Sequence, residues 1–382
     1  MIQHAIILGN HIQGLGVARI CHSIGLEVHL YNNSSICLTR FSNTCTDFTR
    51  FKDHEDLKNQ LLGLTFDPKT AILLPTNDKL VGFMADHYEL LKAKFVLSIP
   101  EPEVTDICYN KIKSYRKAEE LGIPHPKSLY PTNLEELESL DITYPVIIKP
   151  AVMHKFYHQV GKKVFLCEDK NELISNYKKA IRVISSDEVI VQEFLDGGAA
   201  NLYSFGSFCD GKKVWGSFVA NRIRQKPMNF GIATTFAKTV INPRIDELAQ
   251  KMLTEIGYFG LSEVEFMYDH KTDDYKFIEI NPRTWKWHTI TNKLDINLIK
   301  MLVDYADQKP ISERHNQNSQ ISWIERITDT YVVTKEILNG NMKLSSYLKS
   351  MNMSKEYACF SWRDPLPGFM YLLLLPYLYF KR

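Results

Sequence analysis

Residues 261–287 read LSEVEFMYDHKTDDYKFIEINPRTWKW, and this stretch decides the fold. Two alternating segments, 261–268 and 275–281, flank a polar turn around His270–Asp274, the pattern of an antiparallel hairpin. If the ladder closes symmetrically about Thr272, Glu265 lies opposite Glu279 and Glu263 opposite Asn281, all on one face. Val264, Phe266, Ile278 and Ile280 then make the other face, which is apolar. One face is core; the other is a cluster of oxygen ligands. Opposed carboxylates repel and weaken a hairpin, and a bound divalent cation removes that cost. Carboxylates with an amide oxygen suit Mg²⁺, a hard ion that takes few protein carboxylates together with phosphates and water. Arg283 keeps the same face if the strand continues, and its planar fork suits phosphate or carboxylate. The pattern also fits a solvated sheet face with ordinary surface charges. The strict alternation, the Asn281–Pro282–Arg283 ending and the tryptophans at 285 and 287 favour a site.

Upstream, PVIIK (145–149) is a strand closed by Pro150. Lys149 at its end either snorkels or places a point charge on a phosphate. VIVQEFL (189–195) reads as a core strand, although exposed backbone after Gln192–Glu193 could also meet an adenine edge. Residues 202–220 make two strands around the Asp210–Gly211 turn, and 246–256 an amphipathic helix ending at Gly257. Ile112, Tyr115, Ala118 and Leu121 share one face of a helix that Gly122 caps and Pro124 and Pro126 block. Further back, AIIL (5–8), a helical stretch over 15–24 and EVHLY (27–31) form a βαβ unit. A further apolar run, 71–74, ends in PTND (75–78), so 1–105 reads as an α/β domain with a parallel sheet. Gly9, Gly14 and Gly16 do not make G-x-G-x-x-G, and asparagines at 32 and 33 stand where an acidic ribose ligand belongs. A nucleotide-dependent oxidoreductase is therefore the weaker alternative.

Composition bounds the rest. The 382 residues are 45% hydrophobic and 24% charged, ordinary for a globular protein of two or three domains. A net charge of +2 gives no electrostatic case for nucleic acid as the partner. Seven scattered cysteines without C-x-x-C, and a start lacking a basic stretch before a long apolar run, fit a reduced cytoplasmic setting. PISERHNQNSQ (310–320) is a polar surface loop. The tail GFMYLLLLPYLYF (368–380) is shorter than the roughly 20 residues a bilayer span needs. Either it packs on the body, or it makes a peripheral contact at the inner membrane face with tyrosines at headgroup depth.

Together these pieces resemble the ATP-grasp superfamily over about residues 1–300. NKIKSYRKAEELGIPHP (110–126) is similar to the D-K-x-x-x-(…)-G-I-P-x-P segment that opens the family's nucleotide fold, with Asn110 where Asp is usual. The resemblance implies Lys111 and Lys149 on ATP phosphates. It implies an adenine hinge at Gln192, Glu193, Phe194 and Leu195, with the Glu193 carboxylate accepting from the adenine amino group. It matches Glu265, Glu279 and Asn281 to the family's metal ligands for Mg²⁺, with Mn²⁺ as a substitute. Arg283 matches the arginine near the transferred phosphate or acyl group. PTND, ANRIRQKP (220–227), NPRTWKWH (281–288) and FSWRDPLPG (360–368) resemble bacterial D-aspartate-ligase-like carboxylate–amine ligases. By that match Arg222, Arg224 and Lys226 would face phosphates or the carboxylate substrate, and Asp78 the substrate end of the first domain.

The implied fold is α/β, α+β in the nucleotide-binding part. An N-terminal parallel-sheet domain (1–108) precedes a two-lobed ATP-grasp fold, with a small lobe or lid (109–200), a large lobe holding the metal (201–310) and a C-terminal extension (311–382). The implied activity joins a small-molecule carboxylate to an amine through an acyl phosphate, on an amino acid or envelope precursor, in an enzyme whose relatives often dimerise. One departure stands out. The segment after Lys149, AVMHKFYHQVGKKV (151–164), holds only Gly161 where relatives carry a glycine-rich phosphate loop. His154 or Lys155 would then replace backbone contacts, and a nucleotide-binding protein without catalysis stays open as the alternative.

Overall fold

The computed structural model describes residues 1–152, 156, 159–228, 231 and 233–380, with side chains placed up to residue 375. His154 and Lys155 lie outside the described residues. Strands β1 (His4–Leu8), β2 (Glu27–Asn32), β3 (Asp47–Arg50), β4 (Ala71–Pro75) and β5 (Val96–Leu97) form one parallel sheet in the order β3-β2-β1-β4-β5. β1 and β4 are apolar almost throughout because helices cover both faces, as parallel sheets require. The expected βαβ unit is present, its helix running His11–Ser23. At the carboxyl ends of β1 and β4, Gly9 adopts φ +97, where an added Cβ would fall 2.2 Å from Thr76 Oγ1. Asn77 then caps helix Asp78–Asp86 by accepting from the Leu80 N–H, which fixes Asp78 at that edge.

A second, antiparallel sheet holds β6 (Ser128–Leu129), β7 (Val146–Pro150), β8 (Phe165–Cys167) and β9 (Val189–Glu193), in the order β6-β9-β7-β8. Helix Lys170–Ala180 buries Leu173 and Tyr177 against Val146, Ile148 and Val191 of this sheet. The third sheet is the largest. It contains β10 (Leu202–Asp210), β11 (Val214–Lys226), β12 (Ala233–Val240), β13 (Phe259–Asp269), β14 (Asp274–Asn281), β15 (Arg314–His315), β16 (Ile321–Ile324) and β17 (Ser354–Tyr357). Its path is β14-β13-β10-β11-β12-β16-β17, with β15 beside β11, so the loop read at 310–320 contributes a short strand.

Helix Lys111–Glu120 links the sheets. Asn110 caps it by accepting from the Ile112 and Lys113 N–H groups, and Ile112, Tyr115 and Ala118 pack with Val264, Phe266, Phe277 and Ile280. The hairpin differs from the symmetric expectation at one residue. β13 and β14 pair Glu263 with Asn281 and Glu265 with Glu279, but Phe266 pairs with Phe277. The turn holds four residues, His270–Asp273, because Asp269 accepts from the Lys271 N–H and the Thr272 hydroxyl. The ladder therefore recentres, and a bulge at Ile278 restores the carboxylate pairing. Phe277 takes the core position expected for Ile278, and Ile278 turns toward a cavity.

The terminal helix spans Leu366–Phe380. Tyr371 is buried against the body, while Phe369, Leu372 and Leu373 are exposed. Among the described residues no helix is long and apolar enough to cross a membrane.

Candidate active site

Two cavities of about 380 Å³ each meet where the three sheets converge. Lys111, Lys163, Glu265 and Glu279 line both. The first is largely apolar, walled by Ile147, Leu166, Met267 and Ile278, with Gln192, Glu193, Phe194 and Leu195 along one edge. The second is polar and reaches Asp78, Arg222, Glu263, Asn281, Arg283 and Lys286, over Trp285 and Trp287.

The carboxylates of the hairpin face these cavities, and cations from other elements compensate them. Lys111 Nζ lies 2.5 Å from Glu279 Oε2, and Arg222 lies 2.6 Å from Glu265 Oε2. The repulsion expected of the opposed pair is thus relieved by Lys111 and Arg222. Burial opposes the charge of both members of the first pair, yet their attraction prevails. Lys111 is held above its usual range, and Glu279 is held below its own by Lys111, Lys163 and Lys149. Asn281 Nδ2 donates to Glu265 Oε1 at 3.1 Å and Glu263 Oε2 at 3.2 Å. Glu263 is 4% exposed, and its Oε1 has no hydrogen-bond partner among the described residues. Burial and the neighbouring Glu265 charge raise its affinity for a proton. Arg283 donates from Nε to Asp78 at 2.5 Å and from its second terminal nitrogen to Asn281 Oδ1 at 3.2 Å.

Lys149 is buried at the end of β7, with Nζ 2.6 Å from the Tyr115 hydroxyl. The Tyr115 hydroxyl in turn donates to the Ile278 carbonyl at 2.8 Å. Burial and the Lys111 charge bring Lys149 down to about 7, against a weaker pull from Glu279. Gln192 is buried and donates to Ser128 Oγ at 2.6 Å. Glu193 lines the apolar cavity, but its Oε1 is already engaged by Lys276 Nζ and by the Lys127 N–H at 3.0 Å. One oxygen of the carboxylate expected to receive an adenine amino group is thus held by Lys276.

Two further residues depart from expectation. Arg224 does not reach either cavity. It is 2% exposed and donates to both oxygens of buried Asp329 at 2.8 Å each, and to Ser350 Oγ at 2.8 Å. Lys226 lies over the Tyr331 ring. Strict alternation would have put 222, 224 and 226 on one face. β11 instead has register shifts between Asn221 and Arg224 and between Arg224 and Gln225, so Arg222 faces the site while Arg224 and Lys226 do not. Sequence reasoning also missed Lys163. It lines both cavities, donates to the Gly231 carbonyl at 3.3 Å, and is held below its usual range by burial. Its segment carries no periodic pattern; a basic residue just before β8 was the one available signal.

An apolar slot beside an extended strand, a lysine-lined junction and facing carboxylates thus meet in one place, as the resemblance to ATP-grasp proteins implies. Residues 108–285, a little under half of the chain, match the family described as the ATP-grasp domain. D-aspartate ligase of Enterococcus faecium (strain Aus0004) is 23% identical over 258 residues, covering 64% of this chain and 61% of that protein. The carbamoyl phosphate synthase large chain of Campylobacter jejuni is 29% identical over 187 residues, 47% of this chain but 16% of that one. Among solved structures, the biotin carboxylase domain dimer of Hydrogenobacter thermophilus 2-oxoglutarate carboxylase, in complex with MgADP and bicarbonate, has a TM-score of 0.64 at 18% identity. It covers 84% of this chain and 72% of that one.

Proposed function

We propose that the chain is an ATP- and Mg²⁺-dependent ligase that joins a small-molecule carboxylate to an amine. The observation that carries this reading is the junction itself: an apolar slot and a polar, cation-rich cavity share Lys111, Lys163, Glu265 and Glu279. Adenine fits the apolar slot, with the backbone of Phe194 and Leu195 at its edge and Gln192 behind. Lys276 fixes the hinge through Glu193. The phosphates then run toward Lys111, Lys149 and Lys163, which hold their oxygens in line.

Glu265, Glu279 and Asn281 would hold Mg²⁺, or Mn²⁺ in its place. The donors there are oxygens alone, and the orphaned Glu263 Oε1 beside them suits a hard cation. Bound there, the ion supplies charge neutralisation to the phosphates. Lys111 and Arg222 must then exchange a carboxylate partner for a phosphate or substrate oxygen. Arg283, steered by Asp78, and Arg222 would bind the substrate carboxylate in the polar cavity. A carboxylate oxygen attacks the γ-phosphorus, the bond to the bridging oxygen breaks and ADP leaves. The amine nitrogen then attacks the acyl carbon, phosphate leaves with the bonding pair, and the nitrogen gives up a proton.

The names of the relatives, a D-aspartate ligase and a domain crystallised with MgADP, support this class. The dimeric state of the latter supports a homodimer here. The reading includes a cytoplasmic location, where ATP is at hand. The test is carboxylate-dependent isotope scrambling in ATP labelled with ¹⁸O at the β-nonbridging oxygens. Reversible γ-phosphoryl transfer moves label into the bridge without any amine. Scrambling that needs both Mg²⁺ and one carboxylate pool supports the reading. Bound ATP with no scrambling in any pool would overturn it in favour of a binding protein.

A further inference from the structure

Toward the amino ends of β1 and β2, opposite the carboxyl ends that face Asp78, three ligand-bearing side chains converge. His4 opens β1 and Glu27 opens β2; the parallel register pairs them, and His29 follows two residues later on the same face. His4 Nδ1 lies 3.2 Å from His29 Nε2 and 3.2 Å from Glu27 Oε2. The ligand atoms all lie within 4.8 Å of one another. Zn²⁺ held tetrahedrally by nitrogens at about 2.0–2.1 Å sets its ligand atoms roughly 3.3 Å apart, close to the two 3.2 Å separations at His4.

Proton accounting points the same way. His29 Nδ1 donates to Asp47 Oδ2 at 2.6 Å, so in the neutral ring Nε2 carries a lone pair. That lone pair faces His4 Nδ1, as does a carboxylate oxygen. Three electron-pair donors thus share at most one proton. A divalent cation satisfies all three. The Asp47–His29 contact is the outer partner that orients a metal-binding imidazole. Phe66 stacks on His4, ring centroids 4.1 Å apart, and fixes the other imidazole. A cavity of about 450 Å³ is lined in part by His4 and Glu27, giving an ion a route in.

We propose that His4, Glu27 and His29 form a Zn²⁺ site that ties β1 to β2, separate from the Mg²⁺ ligands of the hairpin. Nitrogen donors make it a poor site for Mg²⁺, and the two ions can be loaded independently.

The test uses the untagged full-length chain, stripped of metal and then exposed to Zn²⁺ in excess Mg²⁺ before desalting. Elemental analysis should find about one Zn²⁺ per chain, and melting should shift upward reversibly with chelator. Glu27→Gln alters an exposed side chain and should fold; its Zn²⁺ affinity should fall about tenfold or more. His4→Gln and His29→Gln should retain no Zn²⁺, with nucleotide binding unchanged in all three. A wild-type chain that retains no Zn²⁺, or variants that retain as much as wild type, would overturn the proposal.

Discussion

Lys149 offers a quantitative test of how the site meets a nucleotide. Its ammonium is buried and its nearest partner is a neutral phenol, Tyr115. Lys111 repels it and Glu279 attracts it more weakly, so it sits at about 7 in the ligand-free chain. Phosphate oxygens favour the charged form and push the group back up. The sign follows. The free chain lacks this proton above pH 7 and the complex carries it, so binding takes up a proton and affinity falls as pH rises past 7. With the free group at about 7, uptake through Lys149 is about 0.1 proton at pH 6, about 0.5 at pH 7 and about 0.9 at pH 8. Titration calorimetry in buffers of different ionisation enthalpy reads this number directly. Lys149→Met, titrated with the same nucleotide, subtracts the protons of the nucleotide itself. Equal uptake in wild type and Lys149→Met across pH 6–8 would refute the assignment of this lysine to the phosphates.

Three further outcomes are expected. Glu279→Gln should abolish carboxylate-dependent phosphate release while circular dichroism shows the fold retained; undiminished release removes Glu279 from the metal site. Asp78→Asn loosens Arg283 by about 1.5–3 kcal/mol, a charged hydrogen bond. The KM for the carboxylate should therefore rise about tenfold or more, with nucleotide affinity unchanged in calorimetry. Arg224→Met leaves Asp329 as a buried unpaired charge and should cost about 3–5 kcal/mol in denaturant unfolding, with Arg224→Met/Asp329→Leu recovering much of it. Loss of turnover in a stably folded double variant would return Arg224 to the catalytic machinery.

The parts of this molecule that were legible in its sequence are those governed by local periodicity. Alternation in 261–281 placed Glu263, Glu265, Glu279 and Asn281 on one face because side chains in a strand repeat every second residue. Where a strand departs from that period, the reading slips. The Ile278 bulge answers to a turn held by Asp269, and the fate of Arg224 answers to irregularities in β11 and to an acid more than 100 residues away. Tyr115 sat correctly on a buried helical face, but its hydroxyl serves Lys149, which no helical pattern reveals. Lys163 enters the site from an aperiodic stretch, and His4, Glu27 and His29 meet across adjacent strands, beyond any linear motif. Both are products of tertiary packing.

The central claim is that the polar cavity activates a carboxylate as an acyl phosphate. The most direct measurement is hydroxamate formation from MgATP, a carboxylate pool and hydroxylamine, which traps the acyl phosphate without the true amine. The account predicts a hydroxamate that requires Mg²⁺ and one pool, and that disappears in Glu279→Gln. ATP binding without hydroxamate from any pool, precursor-sized carboxylates included, would contradict it.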